Sequence, residues 1–478
     1  MTRARAASAG LWSAIDIVLR QGVQFVVTIF LARLLTPADF GVIAILVFFS
    51  SLSTVVVQGG LSMALVQRQH TSLREESAVF WWNLLASLGF GVVMLLLSPA
   101  VARFYEQPVL QPLMILAAAQ VVFSALGAVQ QALLSRALQF SELAKVGAVA
   151  TLFSGAAGIG AAYFGFGVWA LAIQLLTSTL LTTAALWIVS DWRPVLHFSI
   201  ATIRPIIGFG SWIGLSNTLE VLYSQGFALL VGKLHGVRDL GFYSRAASTQ
   251  QLPTNVLSSI IGRVALPLFA TRSEEPDALR RGLKTSLQVV MLVNLPLMTG
   301  LALLPDLVIV VLFGEKWLPA APILAILAWS GLIFPMHVLN LQLLLAQGRS
   351  RTYLNVELVK KAVGILFVVI GSFYGIIGLA MAQLLFSFVA LGINVLPVAR
   401  SVGYGLISQL WDLIGLFGLT AFMAAVVVTL RDLLVAPPLA SLLMLTASGA
   451  AAYLAAGLLF RVEAVREGMA MAKSLLAR

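Results

Sequence analysis

Long apolar runs alternate with short polar breaks from one end of the chain to the other. Fourteen runs approach or exceed the ~20 residues that a helix needs to cross a bilayer. Their approximate limits are 11–33, 41–66, 79–98, 110–134, 146–163, 167–189, 206–232, 240–262, 285–313, 320–346, 358–374, 376–399, 409–430 and 437–460. Membrane β-strands would be about 10 residues long with alternating polarity, which these runs lack. The pattern predicts an all-α polytopic membrane protein with about 14 transmembrane helices.

Some of the segments around the polar breaks occur twice in the sequence, roughly 200 residues apart. "LARLLTPADFG" (31–41) matches "VGKLHGVRDLG" (231–241), and "YFGFGVWALAIQLL" (163–176) matches "FYGIIGLAMAQLL" (373–385). Each copy contains six spans, so both halves enter the membrane from the same side. This predicts two six-helix lobes related by a pseudo-twofold axis along the membrane normal, with two further helices after them.

The repeated segments also allow a purely local explanation. Asp39 and Asp239 can cap the helices that follow them, and Gly41 and Gly241 can ease the preceding turns. We expect these structural roles rather than chemistry.

The predicted organisation has five parts. They are an N-lobe (1–190), an interlobe linker (191–205), a C-lobe (206–400), helices 13 and 14 (401–460) and an amphipathic tail (461–478) that lies on the membrane surface. With the N-terminus inside, about three-quarters of the 30 lysines and arginines fall on one side, Lys360 and Lys361 among them. The positive-inside rule therefore places linker, tail and both termini in the cytoplasm.

Composition removes several classes of function. Only 10% of the residues are charged and 60% are apolar, whereas soluble domains carry roughly 25% charged residues. The net charge of +11 lies between apolar runs, which suits anionic lipid rather than nucleic acid. No cysteine exists, and no nucleotide-binding, zinc-protease or serine-hydrolase motif is present. We predict a protein that is not an enzyme and holds no metal.

Charged side chains within a span are costly and are therefore functional candidates. In helix 1, Asp16 and Arg20 are four residues apart, the spacing of a helical ion pair, and Gln24 extends the same stripe. Either the pair pins helix 1 to a neighbour, or, as the family resemblance given below implies, Arg20 binds a diphosphate group with its planar guanidinium while Asp16 orients it.

Helix 7, the repeat partner of helix 1, carries Asn217 and Glu220. Asn217 is a candidate substrate ligand. Glu220 is either a carboxyl group kept neutral by burial or a site for a coupling ion, H⁺ or Na⁺.

Helix 8 is unusually polar, with Arg245, Gln250 and Gln251 as candidate substrate ligands. Arg245 and Gln251 are expected on one broad face, and Pro253 is expected to loosen the helix. Arg245 could instead extend to the outer head groups.

Several stretches carry a family resemblance. "LARLLTPADFGVIAI", "GGLSMALVQR", "ALPLFA", "LFGEKW" and "LLAQGRSR" resemble segments of Wzx-type, colanic-acid-exporter-like flippases. These belong to the multidrug/oligosaccharidyl-lipid/polysaccharide (MOP) exporter superfamily. The resemblance implies a V-shaped fold that opens alternately to either side of the bacterial inner membrane.

The resemblance also implies a cargo and partners. The cargo would be undecaprenyl-diphosphate-linked oligosaccharide repeat units, moved to the periplasmic leaflet for exopolysaccharide, O-antigen or capsule synthesis. The partners would be membrane lipids, a polysaccharide polymerase and a chain-length regulator, with no nucleic acid. The alternatives are an ion-coupled multidrug exporter of the same superfamily and a membrane polymerase or ligase of lipid-linked glycans.

Overall fold

The computed structural model describes residues 21–58, 60–68, 71–271 and 275–460. Every regular element among them is a helix, as the hydrophobic pattern predicts. By their internal packing they divide into two compact units, Met1–Ser244 and Arg245–Arg478. This division follows packing and not the repeat, so the lobe limits 1–190 and 206–400 stay predictions. The tail 461–478 lies outside the described residues.

Within its described residues, the first unit contains eight helices and the beginning of a ninth. They are α1 (Gln21–Leu34), α2 (Pro37–Gln58), α3 (Leu61–Gln67), α4 (Leu73–Phe104), α5 (Leu110–Arg136), α6 (Phe140–Tyr163), α7 (Val168–Val189), α8 (Ile200–Leu234) and α9 (Val237–Ala270). Small residues allow these helices to approach closely, because a side chain would hold the backbones apart. A methyl group on Gly155 would lie 2.5 Å from Val27, and one on Gly158 would lie 2.9 Å from Gln174.

The segment between α7 and α8 is anchored to the start of α4. Residues 191–199 are non-helical, and the helix begins at Ile200 rather than after residue 205. Trp81 Nε1 donates to the Val195 carbonyl at 2.9 Å, and the Val195 N–H donates to Ser77 Oγ at 3.0 Å. Both backbone hydrogen-bonding groups of Val195 are thus paired, which holds the linker along α4.

The second unit continues from α9 through eight further α-helices and one 3₁₀ turn. They are α10 (Pro276–Leu303), α11 (Pro305–Phe313), the 3₁₀ turn Glu315–Ala320, α12 (Ala321–Gly331), α13 (Phe334–Ala346), α14 (Ser350–Ser372), α15 (Gly375–Val402), α16 (Leu406–Leu433) and α17 (Pro438–Leu459). Its apolar core includes Leu287 and Met291 of α10, Leu416 of α16 and Leu445 of α17. Helices 13 and 14 of the sequence, α16 and α17, are therefore part of this core.

Polar contacts lock α16 and α17 onto that core. Asn340 and Gln409 are fully buried and exchange two amide hydrogen bonds, at 3.0 and 2.9 Å. Tyr453 Oη donates to the Leu292 carbonyl at 3.1 Å. That carbonyl lies four residues before Pro296 and has no helical N–H to accept from. Burial and a hydrogen bond to Asp412 raise the pKa of Tyr404, at the start of α16.

Ten helical segments among the described residues are long and apolar enough to span a membrane. The predicted segments at 206–232, 240–262 and 358–374 correspond to α8, α9 and α14, which fall outside those ten. Three predicted spans are interrupted in the structure. The runs 41–66, 285–313 and 320–346 break around Gly60, before Pro305 and before Pro335, where glycine or proline disfavours a continuous helix. By contrast, α9 continues through Pro253.

Lys360 and Lys361 were expected in a cytoplasmic segment and lie within a helix; their side of the membrane stays a prediction. They are the eleventh and twelfth residues of the 23-residue helix α14, about 15 Å from either end at 1.5 Å per residue. The helix begins eight residues before the apolar run that was predicted to start at 358.

Candidate functional site

Two of the predicted site residues, Asp16 and Arg20, lie outside the described residues, so the helix 1 ion pair stays a prediction. Gln24, on the same predicted stripe, is exposed on α1. In α8, Asn217 is half-buried and Glu220 is exposed. A role for Glu220 with a coupling ion remains a prediction.

Arg245 points into the second unit. Its side chain is buried, and its guanidinium carbon lies 5.7 Å from the centre of the Phe313 ring, a cation–π distance. The alternative in which Arg245 extends to outer head groups is therefore wrong.

Gln250 and Gln251 face different surroundings. Gln250 is buried like Arg245, whereas Gln251 is exposed. The expectation that Arg245 and Gln251 share a face is wrong, because six residues rotate a helix by about 240° beyond a full turn. Arg245 contacts Phe313, and Gln250 lies against Gly331, both within the second unit.

A buried amide bridges the interruption between α12 and α13. Asn294 Nδ2 donates to the carbonyls of Gly331 and Leu332, at 3.1 and 2.8 Å. Pro335 has no N–H for the Gly331 carbonyl, so the asparagine supplies the missing donor. Gln250 adjoins the same point, since a methyl group on Gly331 would lie 2.5 Å from its Nε2. Interrupted helices of this kind form substrate and ion sites in transporters.

No role for Asn294 was predicted from the sequence. The signal that could have found its role is the pair Gly331 and Pro335, four residues apart inside an apolar run. A glycine and a proline at that spacing indicate a broken span with a free carbonyl.

Beside the interruption, α13, α14 and α15 bring together polar and charged side chains. His337 Nδ1 lies 2.9 Å from Asn394 Nδ2. Lys360 forms an ion pair with Glu357 one turn away on α14, and both are largely buried, at 14% and 23% exposed. No site was predicted at these four residues from the sequence.

The repeated segments of the sequence contact one another in the first unit. A methyl group on Gly41 would lie 1.7 Å from the carbonyl oxygen of Val237, and one on Gly241 would lie 1.8 Å from that of Pro37. Each glycine is the fifth residue of its helix, and each oxygen belongs to the first residue of the other helix. We call these four residues the glycine contact. Gly41 and Gly241 therefore permit close backbone approach, and the expectation that they ease a turn is wrong.

Asp39 has the capping role that the sequence predicted. Its Oδ2 accepts from the Thr36 N–H at 2.8 Å, while the Asp39 N–H donates to Thr36 Oγ1 at 3.3 Å. This reciprocal pair is a capping box at the start of α2. Lys233, before α9, anchors the connection between α4 and α5 by donating to the Phe104 carbonyl at 2.7 Å.

The family model described as "Polysaccharide biosynthesis protein" matches residues 30–322. "Teichuronic acid biosynthesis protein TuaB" of Bacillus subtilis is 28% identical over 72% of this chain and 71% of its own length. "Lipopolysaccharide biosynthesis protein WzxC" of Escherichia coli is 27% identical, over 80% and 78%. "Succinoglycan biosynthesis transport protein ExoT" of Rhizobium meliloti is 27% identical, over 68% and 66%.

Solved structures show the fold. The structure of "Lipid II flippase MurJ, inward closed conformation" has a TM-score of 0.78 at 15% identity, covering 94% of this chain and 99% of that one. An inward-facing multidrug-resistance MATE transporter of the MOP superfamily has a TM-score of 0.62 at 15% identity, covering 82% and 98%. The predicted MOP/MATE-like fold class is confirmed.

Proposed function

Because the chain belongs to the polysaccharide biosynthesis protein family, we propose that it is a flippase for lipid-linked oligosaccharides. It would move undecaprenyl-diphosphate-linked repeat units from the cytoplasmic to the periplasmic leaflet of the bacterial inner membrane by alternating access. Both termini would be cytoplasmic. A proton or sodium gradient would supply the energy, and the polymerase and chain-length regulator would act on the delivered units.

The observation that carries this proposal is the agreement of two independent comparisons. Relatives named for three different polysaccharides align with two thirds or more of the chain, and one of them is named a transport protein. The fold matches that of a lipid II flippase over nearly the whole chain. A membrane polymerase or ligase fits less well, since no connection between the described helices is longer than residues 190–199.

A multidrug exporter is the second candidate, because MATE transporters share the fold. The likeness is smaller, with a TM-score of 0.62 against 0.78 and 82% of the chain covered against 94%. A gene deletion separates the two functions. Loss of surface polysaccharide with accumulation of lipid-linked repeat units supports the flippase, whereas drug sensitivity with normal polysaccharide supports the exporter.

The substitution Arg20→Ala tests the phosphate-binding role in this function. We expect export to be abolished while the protein remains in the membrane, because a guanidinium that holds the diphosphate has no substitute at that position. Surface polysaccharide is measured in a deletion strain that carries the variant, with membrane content checked by immunoblot.

Arg74→Ala is the matched control, since Arg74 is exposed at the start of α4 and should support normal export. Wild-type export by the Arg20 variant would remove Arg20 from the mechanism.

A further inference from the structure

Two connections between helices expose aromatic side chains to the outside of the protein. The first joins α6 to α7 and carries Tyr163, Phe164 and Phe166, and the second joins α14 to α15 and carries Phe373 and Tyr374. These five side chains are between 55% and 80% exposed. We call the two connections, residues 163–167 and 373–375, the aromatic hairpins.

The two aromatic hairpins have the same turn at the same place in the repeat. Gly165 and Gly375 each follow two aromatic residues, in the segments 163–176 and 373–385 that match between the copies. Their φ angles are +81° and +73°, which glycine adopts without strain. One such hairpin therefore belongs to each of the two units.

The turn after α6 is held by its own backbone. The Phe166 N–H donates to the Ala161 carbonyl, and the Gly165 N–H donates to the Ala162 carbonyl, both at 3.1 Å. These two bonds form a Schellman motif, which pairs the last carbonyls of a helix. The aromatic rings are thus not needed to close this turn, and their exposure leaves much of each ring without a contact in the unit.

Charged residues are absent from the sequence around both hairpins. No Asp, Glu, Lys, Arg or His occurs in residues 146–190 or in residues 362–399. In the predicted topology both hairpins lie on the outer side of the membrane. The other five connections predicted on that side carry charged residues, among them Asp39, Glu106, Arg238, Glu315 and Arg431. The two hairpins are therefore uncharged and aromatic where the other connections are charged.

The length of α7 relates the first hairpin to the thickness of a bilayer. This helix starts directly after the hairpin and has 22 residues, so it is about 33 Å long. The hydrocarbon layer is about 30 Å thick. At the other end of α7, the Arg193 guanidinium lies 5.4 Å from the centre of the Trp187 ring. A helix that just crosses the hydrocarbon layer, with its Trp187 end at one boundary, places the hairpin at the other boundary.

We propose that the aromatic hairpins anchor the two units in the outer membrane–water interface, with the lipid head-group region as their binding partner. Aromatic rings with an apolar body and a polar edge or hydroxyl are enriched at that level of the bilayer. A protein partner fits these hairpins less well, because protein interfaces have a polar rim with hydrogen bonds and the hairpins offer no charged group. The proposal depends on the membrane-spanning fold and not on the flippase function.

Spin labels can test this placement directly, because the chain contains no cysteine. Phe164→Cys and Tyr374→Cys each introduce one labelling site into the full-length protein, which is reconstituted in vesicles of phosphatidylcholine and phosphatidylglycerol. Electron paramagnetic resonance then measures collisions of the label with oxygen, which concentrates in lipid, and with a water-soluble nickel chelate. Glu315→Cys is the matched control, since Glu315 is exposed on a charged connection.

We expect the ratio of oxygen to nickel accessibility to be several-fold higher at positions 164 and 374 than at position 315. Nickel accessibility as high as at position 315 would place the hairpins in water and would overturn the proposal. Protection from both reagents would also overturn it, because the hairpins would then be covered by protein, which in the purified sample is a second copy of the chain.

A pair of substitutions at one position tests the aromatic chemistry. Tyr374→Trp keeps a ring suited to the interface, so the unfolding temperature in the same vesicles should stay at the wild-type value. Tyr374→Asp places a charge there and should lower the unfolding temperature. Equal unfolding temperatures for the two variants would contradict an interfacial role for the ring. Neither readout measures export, so the anchor and the flippase function can fail independently.

Discussion

Individual polar residues in this protein are explained by the backbone groups that they serve. Asn294 replaces the helical donor that Pro335 removes, and Tyr453 does the same for the carbonyl freed by Pro296. In a bilayer such carbonyls have no water to bind, so each needs an internal partner. Residues that look like ordinary polar positions in the sequence therefore determine where a helix can break.

Asn294→Ala should destabilise the second unit by about 1–3 kcal/mol, because two buried carbonyls lose their donor. Thermal unfolding of the purified protein in detergent measures the effect. Asn355→Ala is the matched control, since Asn355 is exposed on α14, and it should unfold at the wild-type temperature. Equal unfolding temperatures for the two variants would show that Asn294 does not hold the interrupted span.

At the scale of helices, a tertiary contact explains why the segments 31–41 and 231–241 resemble each other. The first turns of α2 and α9 touch through the glycine contact, in which residues 37 and 41 of one copy face 241 and 237 of the other. Only glycine fits, because a Cβ would occupy the position of a carbonyl oxygen. Both copies keep a glycine at this position because each supplies the close backbone surface that the other requires.

Gly41→Ala and Gly241→Ala should each separate α2 from α9 and lower the unfolding temperature and export together. Overpacking against backbone costs about 1–3 kcal/mol and cannot be relieved by a side-chain rotation. Gly160→Ala is the control, since nothing lies within 4 Å of a methyl group there, and it should be neutral or slightly stabilising. Gly41 and Gly241 variants that behave like Gly160→Ala would rule out the glycine contact as a constraint.

For the whole molecule, α16 and α17 belong to the structure of the second unit, although they stand outside the repeat. They contribute much of its apolar core and the buried Asn340–Gln409 pair. Their removal would expose the apolar face of α10 and leave Asn340 without its partner, a cost beyond the lost contacts.

A chain that ends at residue 402 should therefore fail to accumulate as a monodisperse protein in detergent, as measured by size-exclusion chromatography of a fluorescent fusion. A chain that ends at residue 460 keeps every described helix and should behave as the full-length protein does. Normal behaviour of the shorter chain would show that the first fifteen helices fold without α16 and α17.

The sequence by itself determined the all-α membrane class, the approximate position of the fourteen helical segments and the duplication. These follow from local hydrophobicity, because the bilayer requires long apolar helices wherever the chain crosses it. It also indicated the capping role of Asp39, since a capping box involves residues only three apart.

Only the tertiary structure decided which polar residues meet. The contacts of Arg245 with Phe313, Asn294 with Gly331 and His337 with Asn394 join residues between 37 and 68 positions apart, and the glycine contact joins residues 196 and 204 positions apart. Hydrophobic periodicity indicates the buried face of a helix only when the first and last residues of that helix are known. In α14, charged residues in the middle of the helix interrupt the apolar run, so the sequence did not show where the helix begins. Which face meets which neighbour depends on packing between helices, which no local pattern encodes.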